Sequence, residues 1–206
     1  MAQSANDIYL MKKLLLVALA LAAAAAGPSL FAEQTVVFAK GETMTLGKGG
    51  SPSLPKEPAK RAFFTAARSD FEHPVAYASP LLLIAPPEWG KTIPGAKGQI
   101  EFHPEFIAGF LVRVTLDGLA PVHRYILTLN GNPNLAGNDR LSDAVPGLPA
   151  ERYMDFFTAT TDAHGRYAAT FAIALSPGPY DVRFYVKDTD DFKIALYHDY
   201  FKFSVK

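Results

Sequence analysis

The chain has 206 residues, 49% apolar and 12% aromatic, with no cysteine and a formal net charge of zero. That length and apolar content suffice to bury a sizeable core in one domain plus a leader, or in two small domains. Neutrality excludes bulk electrostatic attraction to nucleic acid or to an anionic membrane, and the missing cysteine excludes disulfides, thiolate metal sites, cysteine nucleophiles and a lipobox.

In chain order, the first feature is Met11-Lys12-Lys13 followed by the apolar run Leu14 to Ala26, 13 residues long. A bilayer span needs about 20. Gly27-Pro28-Ser29 breaks a helix, and "SLFA" places Ala32 at a cleavage position before Glu33. The pattern is that of a signal peptide over residues 1–32, with Met11 as the expected true start. An uncleaved signal anchor is the alternative. Removal of the leader leaves a near-neutral product, so the information lies in export. The expected location is the periplasm or the extracellular space, with no stable membrane span after cleavage.

Residues 33–61 include "KGETMTLGKGGSPSLPKEPAKR", rich in Gly, Pro, Ser and Lys, and are expected to be a flexible linker. "QTVVFA", just before it, reads either as a short strand or as a frayed start. From residue 62 onwards the apolar period is two, which predicts strands with one buried face. Phe110, Val112, Val114 and Leu116 share a face; so do Tyr125, Leu127 and Leu129. The same holds for Tyr167, Ala169, Phe171, Ile173 and Leu175, and for Tyr180, Val182, Phe184 and Val186. "FKIAL" and "FKFSVK" add two more segments, and "LLLIA" and "QIEFH" are weaker strands. Turn residues recur in "LDGLAP", "LNGNPN", "TDAHG", "SPGP" and "KDTDD". No helical stripe of useful length is read, apart from a turn near Ala150 to Met154. The expectation is an all-β, antiparallel, immunoglobulin-like β-sandwich of seven to nine strands over residues 62–206.

Thr161-Asp162, Gly165 and Tyr167, followed by Leu175, Pro177-Gly178, Tyr180 and Val182, resemble the transthyretin-like or carboxypeptidase-regulatory-like sandwich repeat. The resemblance covers about thirty residues and implies fold far more than function. It implies that Asp162 and Gly165 form one turn, Pro177-Gly178 the next, and that the tyrosine packs inward. Hydrolases of the wider group carry a terminal Tyr-Arg-Gly-Ser. This chain ends "YFKFSVK", so no catalytic residue is carried over. "VTLDGLAPVHRYILTLNG" is similar to a strand–turn–strand unit of fibronectin-type sandwiches.

Side-chain chemistry gives few sharp signals. The five histidines show no H-x-H or H-x-x-x-H pair of the kind that places two imidazoles on one side of a strand or helix. His103 and His198 are the two that folding is most apt to bring together, and Asp188, Asp190 and Asp191 offer oxygen ligands for calcium. Against this stand ordinary surface histidines and a polar hairpin. The stretch 130–152 is long for a connection. Its Asn130, Asn132, Asn134, Asn138, Asp139 and Arg140 are the first place to seek a small ligand, although asparagine and glycine also simply form turns. Trp89, in a Pro/Gly-rich loop, is either a sugar-stacking platform or a plug at one end of the sandwich. G-x-S-x-G and phosphate-cradling glycine loops are absent. The expected function is a non-catalytic binding domain without a cofactor, its partner a protein or cell-surface polymer and not nucleic acid. The alternative is a periplasmic protein binding a small ligand or a metal such as copper, zinc or calcium.

Overall fold

The computed structural model describes residues 33–38, 42–46, 53–72, 77–86, 88, 90–106, 109–132 and 153–206. Two sheets form the sandwich. In chain order the strands are β1 (Glu33–Val37), β2 (Thr43–Leu46), β3 (Leu81–Leu83), β4 (Lys97–Phe102), β5 (Glu105–Phe106), β6 (Gly109–Asp117), β7 (Arg124–Gly131), β8 (Tyr153–Thr160), β9 (Tyr167–Ala174), β10 (Gly178–Asp188) and β11 (Ile194–Val205). One helix, α1 (Pro58–Glu72), lies between β2 and β3. The first sheet has the order β2-β1-β9-β6-β4-β3 and the second β5-β11-β10-β7-β8. Within the first, β4-β6-β9 form a three-stranded antiparallel unit; within the second, β11-β10-β7-β8 form a four-stranded one. That is the Greek-key arrangement of an immunoglobulin-like sandwich, extended beyond nine strands by β1, β2, β3 and β5.

The inward positions read from the alternation are the core. Phe110, Val112, Val114, Tyr125, Leu127, Leu129, Phe171, Val182, Phe184 and Val186 are all fully buried. Tyr180 turns the corner into β10. Its hydroxyl donates to the Ser176 carbonyl at 2.8 Å, and its ring stacks on Phe203 with centroids 5.0 Å apart. This corner bond is a recurrent device of immunoglobulin-like sandwiches. At the β8–β9 turn, Asp162 Oδ1 accepts from the amides of His164 (2.8 Å) and Arg166 (2.9 Å). Gly165 sits there at φ 74°, and a Cβ on it would come within 2.0 Å of the Leu119 carbonyl oxygen. The Asp-Ala-His-Gly corner is therefore turn structure.

Three expectations need correction. The stretch 33–61, expected as linker, contains β1 and β2. β1 pairs in parallel with β9, Thr35 opposite Phe171, and Thr35, Val36 and Val37 are fully buried. The helix, expected to be absent, starts with Pro58, whose missing N–H costs nothing at a first helical position. Phe63, Phe64, Ala67 and Phe71 give it an apolar stripe. That stripe covers Val36, Leu111 and Ala172 on the outer face of the first sheet, closing a second core outside the sandwich. Finally, β8 runs through part of the turn expected near Ala150 to Met154. Its alternation is broken by a bulge opposite Leu127/Thr128, which turns both Phe156 and Phe157 towards Phe171. Ile194-Ala195-Leu196 of "FKIAL" and all but the last residue of "FKFSVK" belong to one strand, β11, while Phe192 and Lys193 lie in the turn before it. No helix among the described residues is long and apolar enough to cross a membrane.

Candidate functional site

Alternation dictates what the second sheet shows outward. Its register lines up Tyr197, Tyr185, Thr128 and Asp155 in one row across β11, β10, β7 and β8. A neighbouring row holds Arg183, Asn130 and Tyr153. At the usual strand spacing, four strands span about 14 Å. The side chains hold one another. The Arg183 guanidinium lies 4.2 Å from the Tyr200 ring centroid, while its Nε donates to Asp199 Oδ1 at 2.8 Å. Lys187 Nζ lies 4.9 Å from the Tyr153 centroid and 2.5 Å from Asp155 Oδ1, which also accepts from the Thr128 hydroxyl at 2.6 Å. Burial raises the Tyr185 pKa, against the opposing effect of Arg183. Arg183 and Lys187 are each matched by a carboxylate, so the patch around these two rows is neutral, aromatic and rich in donors and acceptors. Such chemistry suits recognition, because tyrosine and arginine give large contact area with polar ends.

A second cluster lies at one end of the sandwich, where the β6–β7, β8–β9 and β10–β11 turns meet. Asp188, the last residue of β10, is buried. Its Oδ2 accepts from Lys91 Nζ at 2.7 Å; its Oδ1 accepts from the Asp190 amide at 2.9 Å and lies 2.9 Å from His123 Nε2. Burial pushes the Asp188 carboxyl up, but bonds from Lys91, the Asp190 amide and His123 outweigh it and hold the pKa at about 2. The group ties three segments together. Around it stand two exposed apolar residues on left-handed backbone, Val122 at φ 50° and Phe192 at φ 57°. A β-branched residue there is strained.

The expected ligands are only partly brought together. His123, Asp188 and Asp190 place ligand atoms within 4.8 Å of one another, and they are the only such group of three among the described residues. His103 follows β4 at the opposite end of the sandwich from Asp188, Asp190 and Asp191. His198, within β11, directs Nδ1 to the Asp199 carbonyl at 2.6 Å. Asp191 lies 3.6 Å from Lys91 and caps the Lys193 amide. Lys91 bonds Asp188 Oδ2 while His123 faces Oδ1, so the Asp188 carboxylate is already matched by a cation. Asn130 stands on the outer face of the second sheet, and Asn132 is locked to Asp181 by two bonds, 2.9 and 3.0 Å. Trp89, Asn134, Asn138, Asp139 and Arg140 lie outside the described residues. Sequence reasoning missed Tyr153, Arg183, Tyr185, Tyr197 and Tyr200 as a set, and also His123 with Lys91. The available signal was the outward position of arginine and tyrosine in "DVRFYVKD" and "LYHDYFKF".

Comparison with protein-family models, with curated proteins and with solved structures finds no match to this chain.

Proposed function

We propose that the chain is an exported, non-catalytic binding module of the periplasm or cell surface, and that its partner is a protein or a cell-surface polymer. The observation that carries this reading is the neutral tyrosine–arginine–asparagine face of the second sheet, centred on Arg183, Asn130 and Tyr153. The one described helix packs on the other sheet, so this face is the broad polar surface at hand. Site-specific photo-crosslinking in the native envelope tests it. A crosslinker at Asn130 or Tyr153 is expected to trap a defined partner that a crosslinker at Ser69, exposed on α1, does not. Identical adducts from both positions, or none from the face, would sink the proposal.

The group His123, Asp188 and Asp190 favours a second reading, metal binding. It is the weaker one, because Lys91 already neutralises Asp188 at 2.7 Å. A rise in melting temperature with zinc, copper or calcium that Asp190→Asn abolishes would establish it. No shift with any of the three rules it out.

A further inference from the structure

The strand register carries tyrosine rings across the whole second sheet. Tyr153 on β8, Asn130 on β7 and Arg183 on β10 form one row, which the Arg183 guanidinium joins to the Tyr200 ring on β11. In the next row Tyr185 stands opposite Tyr197. All four tyrosines are half-buried, so each keeps part of its surface in solvent. Two of the rings are braced by cations, Tyr200 by Arg183 at 4.2 Å and Tyr153 by Lys187 at 4.9 Å. On the β8 side a recess of about 310 Å³ adjoins these rows. Ile126, Phe156 and Phe157 give it an apolar wall; Asp155, Thr158 and, from β2 of the other sheet, Thr43 give it a polar one. Asp155 belongs both to a row and to the recess, so the two are continuous. The recess has the volume of a small-ligand subsite.

We infer that the partner of this face is a neutral polysaccharide, laid across β8, β7 and β10 on the tyrosine rings, with one sugar unit seated in the recess. The inference rests on reading this face as the binding surface and narrows its partner. Three observations select a neutral sugar polymer. A sugar ring has apolar C–H faces and hydroxyl edges, and a tyrosine set among polar groups presents the matching pair of surfaces. Asn130 both donates and accepts, and the exposed carboxylates of Asp155 and Asp199 accept, so hydroxyl edges find partners beside the rings. A protein interface, by contrast, centres on desolvated apolar side chains. The exposed large apolar residues among those described are Leu54, Leu82, Ile84, Val122 and Phe192, and none of them belongs to these rows or lines the recess. Charged polymers are disfavoured because Arg183 and Lys187 are already bound to Asp199 and Asp155. The same bonds hold the side chains in place before binding, which lowers the ordering cost.

Affinity electrophoresis tests the inference. The full-length chain is run in native gels containing xylan, mixed-linkage β-glucan, galactomannan or dextran, all neutral, or polygalacturonate, which is anionic. At least one neutral polymer is expected to retard the chain equally at low and high salt, and polygalacturonate is not. Tyr153→Ala is expected to weaken binding about tenfold, and Tyr153→Phe, which keeps the ring, to retain most of it. Thr158→Trp fills the recess from an exposed position and is expected to weaken binding too; it decides the matter if Tyr153→Ala alters the melting transition. Retardation that survives both changes in folded protein places the sugar elsewhere and overturns the inference. Retardation by polygalacturonate alone, removed by salt, overturns it as well, and so does retardation by none of the neutral polymers. In that last case a protein trapped by a crosslinker at Asn130 leaves the face a binding surface, whereas no adduct at Asn130 removes both readings.

Discussion

The two sheets expose opposite kinds of outer face. On the first, Val36, Leu111 and Ala172 lie under Phe63, Phe64, Ala67 and Phe71 of α1, an apolar contact that excludes water. On the second, half-buried Arg183 pairs with Asp199 and lies over the Tyr200 ring, and Lys187 pairs with Asp155 beside the Tyr153 ring. The strands beneath are alike, and Leu111 on β6 is outward-facing in the same sense as Arg183 on β10. The difference shows that the residues at every second position decide whether a sheet's outer face is covered by the fold or left polar.

The largest expected effect lies under the helix. Phe64→Ala removes a fully buried ring and should cost about 3–5 kcal/mol in urea unfolding; a cost below that of a surface change would show that α1 does not form a true core. Asp188→Asn comes next, at about 2 kcal/mol. Asp188 is held at about 2 in the folded chain against 3.8 when free, so its contribution is complete above about pH 4 and is lost as pH falls through about 2. Melting temperature against pH should therefore drop between about pH 4 and pH 2 in the parent and be flatter in Asp188→Asn. Equal slopes would remove the ionised carboxylate from the account. Val122→Asn relieves left-handed strain and should raise stability by about 1 kcal/mol; a loss would mean that the valine is packed in solution. The smallest effect belongs to the second sheet. Arg183→Ala, a half-exposed pair with Asp199, should change stability by less than about 1 kcal/mol while abolishing partner crosslinking from Asn130. If it unfolded the chain as Phe64→Ala does, the two faces would not differ in kind.

Much of the sandwich was legible because a buried strand face writes itself as a period of two. Phe110 to Leu116 and Tyr180 to Val186 are core positions for that reason. β8 was hidden by its bulge, since Phe156-Phe157 reads as a doublet and not as alternation. β1 was one of two readings of "QTVVFA" and β2 was hidden, because so few residues carry little periodicity and the partner of Thr35 is Phe171, far along the chain. α1 was hidden by its narrow stripe, flanked by Arg61, Thr65, Arg68 and Ser69 and preceded by linker-like sequence. The candidate site was the least legible. Asn130 was singled out, but for a loop; its row with Arg183 and Tyr153 exists only once three strands have been brought into register.

The parallel pairing of β1 has a further consequence, in time. β1 leaves the ribosome before the rest of the sandwich, yet its seat on β9 exists only after β9 has been made and has paired with β6. Contacts between such distant segments close slowly, because a long loop must be ordered before any bond rewards it. The first strand of the sandwich is therefore among the last to dock. Until it does, Val36 and Val37 remain open to water.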